Sequence, residues 1–116
     1  MKRFAILALI ASPAFADTPA VESATAQSNG TSWTISVTLS HPDTGWDHYA
    51  DGWQVLAPDG RVLGFRLLVH PHVNEQPFTR SLSGVKIPDD INTVQIRPRC
   101  LVDGLAPQTY ALPLSR

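Results

Sequence analysis

Cysteine and methionine are almost missing from this chain. Cys100 is the only cysteine, and the only methionine is the initiator. A lone cysteine excludes an internal disulfide, so Cys100 is buried and inert, free and reactive, paired between chains, or bound to a metal. Lysine is nearly absent too, with Lys2 and Lys86 the sole examples. No cluster of basic residues exists beyond Arg97 and Arg99, so a nucleic-acid surface is excluded. The longest apolar run, Phe4 to Ile10, is far below the ~20 residues that span a bilayer, which excludes a membrane span. There is no Gly-x-Ser-x-Gly nucleophile elbow and no glycine-rich phosphate loop. No stretch keeps a helical period over ten residues.

What is present begins with MKRFAILALIASPAFA. A basic start at Lys2 and Arg3, an apolar run and a closing Ala14-Phe15-Ala16 follow the plan of a secretory signal peptide, residues 1–16, cleaved after Ala16. Periplasmic or secreted location is the expectation. Loss of Lys2 and Arg3 takes the formal charge from −1 to −3 and leaves a mature chain 17–116, one ordinary domain. In an oxidising compartment an exposed thiol is a liability, which favours burial or ligation of Cys100. Residues 17–30 (DTPAVESATAQSNG) are small and polar and read as a flexible lead-in, leaving 31–116 as the folded domain.

Residues 31–41 (TSWTISVTLSH) alternate with period two, so Trp33, Ile35, Val37 and Leu39 share an inner face that His41 continues. Segments 53–57 and 61–69 form a hairpin across Pro58-Asp59-Gly60. Segments 79–87, 91–100 and 109–114 complete the set, with a bulge expected at Ser83-Gly84 and an edge position or bend at Pro98. Six to seven short strands separated by turn chemistry indicate an all-β, immunoglobulin-like antiparallel β-sandwich.

The chemistry gathers at strand ends. HPDTGWDHYADGW (41–53) joins two strands and carries His41 and His48; His70 and His72 follow the third strand, and Cys100 ends the fifth. Alternate strands deliver their ends to opposite rims, so strand counting places all four histidines and the cysteine at one rim. Imidazole and thiolate are the ligands of iron, copper and zinc. Asp43, Asp47 and Glu75 stand near enough in sequence to orient the ring nitrogens. The expected metal site is His41, His48, His70, His72 and Cys100, holding iron or copper. The other reading is a non-catalytic module that contacts a protein partner through Trp46, Tyr49, Trp53 and Phe78, since aromatics rimmed by polar residues make contact patches.

His41-Pro42 through His48-Tyr49, then Trp53, resembles the His-Pro-Met…Glu-His-Tyr-Ile…Trp segment of the superoxide reductase (desulfoferrodoxin-like) iron domain. Cys100-Leu-Val-Asp103-Gly104-Leu105 resembles that family's Cys-Asn-x-His-Gly-Leu. The resemblance implies an immunoglobulin-like sandwich, a mononuclear iron held by four histidines and a cysteine, and one-electron chemistry on superoxide. It would make His41 and His48 equatorial ligands and Cys100 the axial thiolate. His41 and His48 are seven apart where the family has six, Asp103 stands where its last histidine stands, and its early Lys-His segment has no counterpart. On this resemblance His70 and His72 would supply the missing ligands. The stretches HPDTGWDHYADGW (41–53) and HPHVNEQPFTRSL (70–82) also look like ones in small exported proteins of proteobacteria.

Overall fold

The computed structural model describes residues 18–116; the signal peptide expected at 1–16 lies outside them. Among the described residues eight strands form: β1 (Ala20–Ser28), β2 (Trp33–Ser40), β3 (Ala50–Leu56), β4 (Val62–Leu67), β5 (Phe78–Val85), β6 (Thr93–Cys100), β7 (Gly104–Leu105) and β8 (Tyr110–Pro113). One sheet has the order β1-β2-β5; the other runs β4-β3-β6-β7, with β8 also on β6. All pairings are antiparallel. β1, β2 and β5 thus take the places of the A, B and E strands of an immunoglobulin-like sandwich, and β4, β3, β6 and β8 those of C′, C, F and G. The expected all-β architecture is the observed one. Among the described residues no helix is long and apolar enough to cross a membrane.

Alternation explains the packing. Trp33, Ile35, Val37 and Leu39 of β2 are buried and face Trp53 and Val55 of β3 and Val94 and Ile96 of β6. The opposite face of β2 is polar. There Ser36 pairs its hydroxyl with Ser81 at 2.7 Å and Thr38 with Thr79 at 2.7 Å across to β5. These pairs satisfy the hydroxyls of an otherwise solvated face.

The lead-in is the main correction. Residues 20–28 form a strand paired with β2 from Ala20↔Ser40 to Ser28↔Trp33, so the folded domain starts before residue 31. A register shift between Val21 and Ser23 puts Val21, Ala24 and Ala26 against the core. That shift breaks period two, and the inward residues are small, so neither alternation nor bulk marks the strand. Asn29 closes the hairpin, its Oδ1 accepting the N–H groups of Thr31 (3.2 Å) and Ser32 (2.9 Å).

The bulge expected near Ser83-Gly84 is present. Three steps on β5 (Val85 to Leu82) oppose two on β2 (Trp33 to Ile35), and Gly84 takes φ 74° there. Pro98 does not put β6 at an edge, because β6 lies between β3 and the β7/β8 side. Instead Pro98 falls in a gap. β8 pairs β6 only as far as Ile96, and β7 begins at Arg99. The Pro98 carbonyl accepts the N–H of Ala106 at 2.8 Å, so its nitrogen faces the same gap, where no ladder bond is required of it.

Gly52 of β3 is packed too closely for a side chain: an added Cβ would lie 2.3 Å from Phe65 Cζ and 3.0 Å from the Arg66 carbonyl oxygen. Gly52→Ala is expected to destabilise the fold by about 1–3 kcal/mol, as overpacked sites do. Urea unfolding checks this, and an unchanged midpoint would refute the packing account.

Candidate metal centre

His41 follows the last residue of β2 and keeps the inward parity of that strand, which buries its ring completely. The chain then turns tightly. Thr44 donates its N–H to the His48 carbonyl (3.0 Å), and His48 donates to that of Gly45 (3.2 Å). Gly45 has φ 147°, a conformation side chains rarely adopt. The turn brings His48 back beside His41, with ring centroids 4.8 Å apart and planes at 75°. Cys100 ends β6 opposite Ala50 of β3 and is buried. Its Sγ lies 3.4 Å from His48 Nε2. One ligand atom each from His41, His48 and Cys100 lies within 4.8 Å of the others. Ligands sharing one ion at metal–nitrogen and metal–sulfur lengths of ~2.0–2.3 Å stand ~3.5–4 Å apart, so little closure is needed.

Asp43 fixes this arrangement. Its side chain is fully buried. Oδ1 accepts the His41 Nδ1–H (2.5 Å) and the Ala50 N–H (3.0 Å), and Oδ2 accepts the His72 N–H (2.7 Å). With its proton on Nδ1, His41 presents a bare lone pair at Nε2. That atom is buried and has no hydrogen-bond partner among the described residues. A buried acceptor left empty is costly unless it has another task, and a carboxylate-oriented imidazole is the usual state of a metal ligand. Burial pushes the Cys100 thiol above its ordinary range, while the N–H groups of Asp103 and Val102 oppose the shift. The Asp103 N–H lies 3.2 Å from the sulfur.

His70 and His72 reach the same rim but do not join the three. His72 is buried, its ring stacked on Phe78 at 3.9 Å. Its Nε2 accepts a hydrogen bond from Arg80 (3.0 Å), which places the proton on Nδ1, 4.0 Å from Asp43 Oδ2. Asp43 therefore stands between His72 and His41. His70 is exposed, with its ring 4.6 Å from that of His72. Of the five expected ligands, His41, His48 and Cys100 converge; His72 supports the carboxylate behind them and His70 faces solvent. Of the expected orienting acids, Asp43 has that role, Glu75 pairs with Arg80 at 3.2 Å, and Asp47 is exposed. Sequence reading missed Gln76 and Arg80. Gln76 accepts the His41 N–H (2.9 Å) and donates to the His72 carbonyl (2.8 Å), tying the two loops together. Only the fold makes those contacts visible.

The four aromatics of the contact-patch reading divide. Trp53 and Phe78 are 0% and 2% exposed and belong to the core, because both point inward between the sheets. Trp46 is exposed and Tyr49 half-buried, and their rings meet edge to face at 5.7 Å.

No protein-family model and no solved structure matches this chain. A protein of Halomicrobium mukohataei named "Putative lipoprotein" is 46% identical over 63 residues, covering 54% of this chain and 30% of that one. The match thus spans under a third of the length of that curated relative.

Two outcomes follow from this geometry. If His41 ligates a metal, Asp43→Asn is expected to weaken its binding about 10–100-fold, the usual effect of removing a carboxylate that orients a ligating histidine; titration against a competing chelator reads it, and unchanged affinity would separate Asp43 from the centre. Burial first, then Arg80 and His70, hold the His72 imidazole below its ordinary 6.5. The unfolded chain therefore binds the extra proton more readily. The stability that His72 contributes is fully present above about pH 6.5 and is lost as pH falls through the lowered folded value. Metal-free His72→Gln should show a shallower loss of urea stability on acidification than the parent, and parallel curves would exclude His72 as the source.

Proposed function

We propose that this is an exported copper protein whose ion is held by His41 Nε2, His48 and the Cys100 thiolate, and that its task is to carry an electron. One observation carries the reading: the buried, unpartnered Nε2 of His41 lies in a group with His48 and Cys100 and is oriented from behind by Asp43. Two imidazoles and one thiolate form the donor set typical of trigonal copper sites with a weak or absent axial ligand. Copper supplies reversible one-electron chemistry there. The protein's share is to hold both imidazoles and the sulfur at fixed positions on rigid strand ends, so that little rearranges when charge changes. Burial of His41 and Cys100 keeps water from two of the three donors. Export is supported by the basic, apolar and Ala-x-Ala order of residues 2–16 and by the relative's name.

The superoxide reductase-like reading shares His41, His48 and Cys100 and differs in the ion. A five-ligand iron site would need two further imidazoles. His72 Nε2 is engaged by Arg80, and His70 would have to swing inward. The two readings therefore separate on His70 and His72.

The full chain, exported in a bacterial host and purified without a histidine tag, should contain about one copper per molecule and show a sulfur-to-copper charge-transfer band. Cys100→Ser should abolish the band, and His41→Ala and His48→Ala should each weaken binding more than tenfold, while His70→Ala binds as the parent does. Iron bound in preference, and lost in His70→Ala, would replace copper with the iron reading. No uptake of copper, iron or zinc under reducing conditions would refute a metal function.

A further inference from the structure

We infer that the surface around His48 is the docking site of a small electron-carrying protein whose contact face is apolar and flanked by lysine or arginine; this rests on the copper reading. His41 and Cys100 are buried and His48 is half-buried, so the centre meets solvent at the His48 edge. That edge is surrounded by apolar surface. Trp46, 66% exposed, occupies the turn that carries His48 and packs on Tyr49. The Tyr49 carbonyl accepts the N–H of Leu101 at 2.9 Å. Leu101 and Val102, 47% and 61% exposed, directly follow Cys100. A tryptophan, a leucine and a valine left in water on adjoining turns form an apolar patch of the kind that marks an interaction site.

Charge selects the occupant. Asp47 adjoins Trp46 and Asp103 adjoins Val102; both are exposed, neither forms an ion pair among the described residues, and Asp103 Oδ2 accepts the Cys100 thiol at 3.6 Å. A two-fold contact with a second copy would bring the same carboxylates together from both molecules, and like charges facing each other disfavour association. A surface of anionic lipid is repelled for the same reason. A protein with basic side chains around an apolar centre is attracted by both features. Such an interface is small and short-lived, as contacts between redox proteins are, and it weakens as salt screens the flanking charges. A copper ion held by His41, His48 and Cys100 would supply one electron, passing from Cu(I) to Cu(II), and the oxidised partner would be reduced by one. No bond is made or broken and no proton moves.

A soluble c-type cytochrome with a lysine-rimmed haem edge serves as the probe. In the first arm, metal-free 15N-labelled protein is titrated with it. Shifts should be confined to the Trp46 indole and the amides of 46–49 and 101–103, and should shrink as salt is raised. No shifts, shifts elsewhere, or concentration-dependent self-association through these residues would overturn the proposal. In the second arm, copper-loaded reduced protein is mixed with ferric cytochrome. Trp46→Ser and Leu101→Ser should each slow electron transfer at least tenfold while leaving the absorption band and the rate with a small cobalt(III) complex unchanged. Equal rates with the cytochrome would overturn the docking surface while the copper reading stands. A chain that takes up no copper would overturn the copper reading and the electron exchange with it, a failure already distinct from a negative titration.

Discussion

Asp43 is the group on which the rest of this rim depends. It is a carboxylate removed from water, a state that is unfavourable unless hydrogen bonds replace the lost hydration. Three N–H donors do so, and they come from three places: the end of β2 through His41, the start of β3 through Ala50, and the loop before β5 through His72. One side chain therefore draws together segments that belong to different sheets. Charge-assisted bonds of this kind are among the stronger ones available to a protein. The arrangement also decides the tautomer of His41. A neutral amide or alkyl group at 43 would leave the backbone donors poorly met and the imidazole free to turn.

Behind the carboxylate, a second group of side chains keeps it in place. Phe78 supports the flat face of His72, Arg80 fills its outer nitrogen, and Gln76 links the His41 amide to the His72 carbonyl. The two histidines that do not reach the thiolate are thus not equivalent. His72 is part of the scaffold, whereas His70 shares its sequence motif without its burial. A His-x-His pair in extended chain suggests two ligands on one side. Here the loop is pinned by Asp43, and only one ring turns inward.

Much of the fold was legible because alternation in β2 and β6 is undisturbed and because Pro58-Asp59-Gly60 and Ser83-Gly84 leave distinct chemical marks. β1 was hidden because its bulge shifts the inward parity and its inward residues include two alanines. The convergence of His41, His48 and Cys100 was readable from the direction of each strand, since all three sit at or beside strand ends on one rim. The separate fate of His72 was not, because it turns on a hydrogen bond from Arg80, eight residues away on β5. The burial of Trp53 and Phe78, against the alternative contact-patch reading, has a related reason. Aromatic residues near a loop can face either way, and the register of β3 and β5 turns both inward.

The bulges have a consequence outside the site. The three-stranded sheet ends in β1 on one side and β5 on the other, and each of these edge strands carries a register break, at Val21/Ser23 and at Gly84. β4, the free edge of the larger sheet, pairs with β3 across another shift, at Val55/Leu56. A straight, evenly spaced edge is a template on which further chains can add as strands. Each of these edges is kinked instead, so the sandwich carries its own protection against open-ended stacking into fibrils.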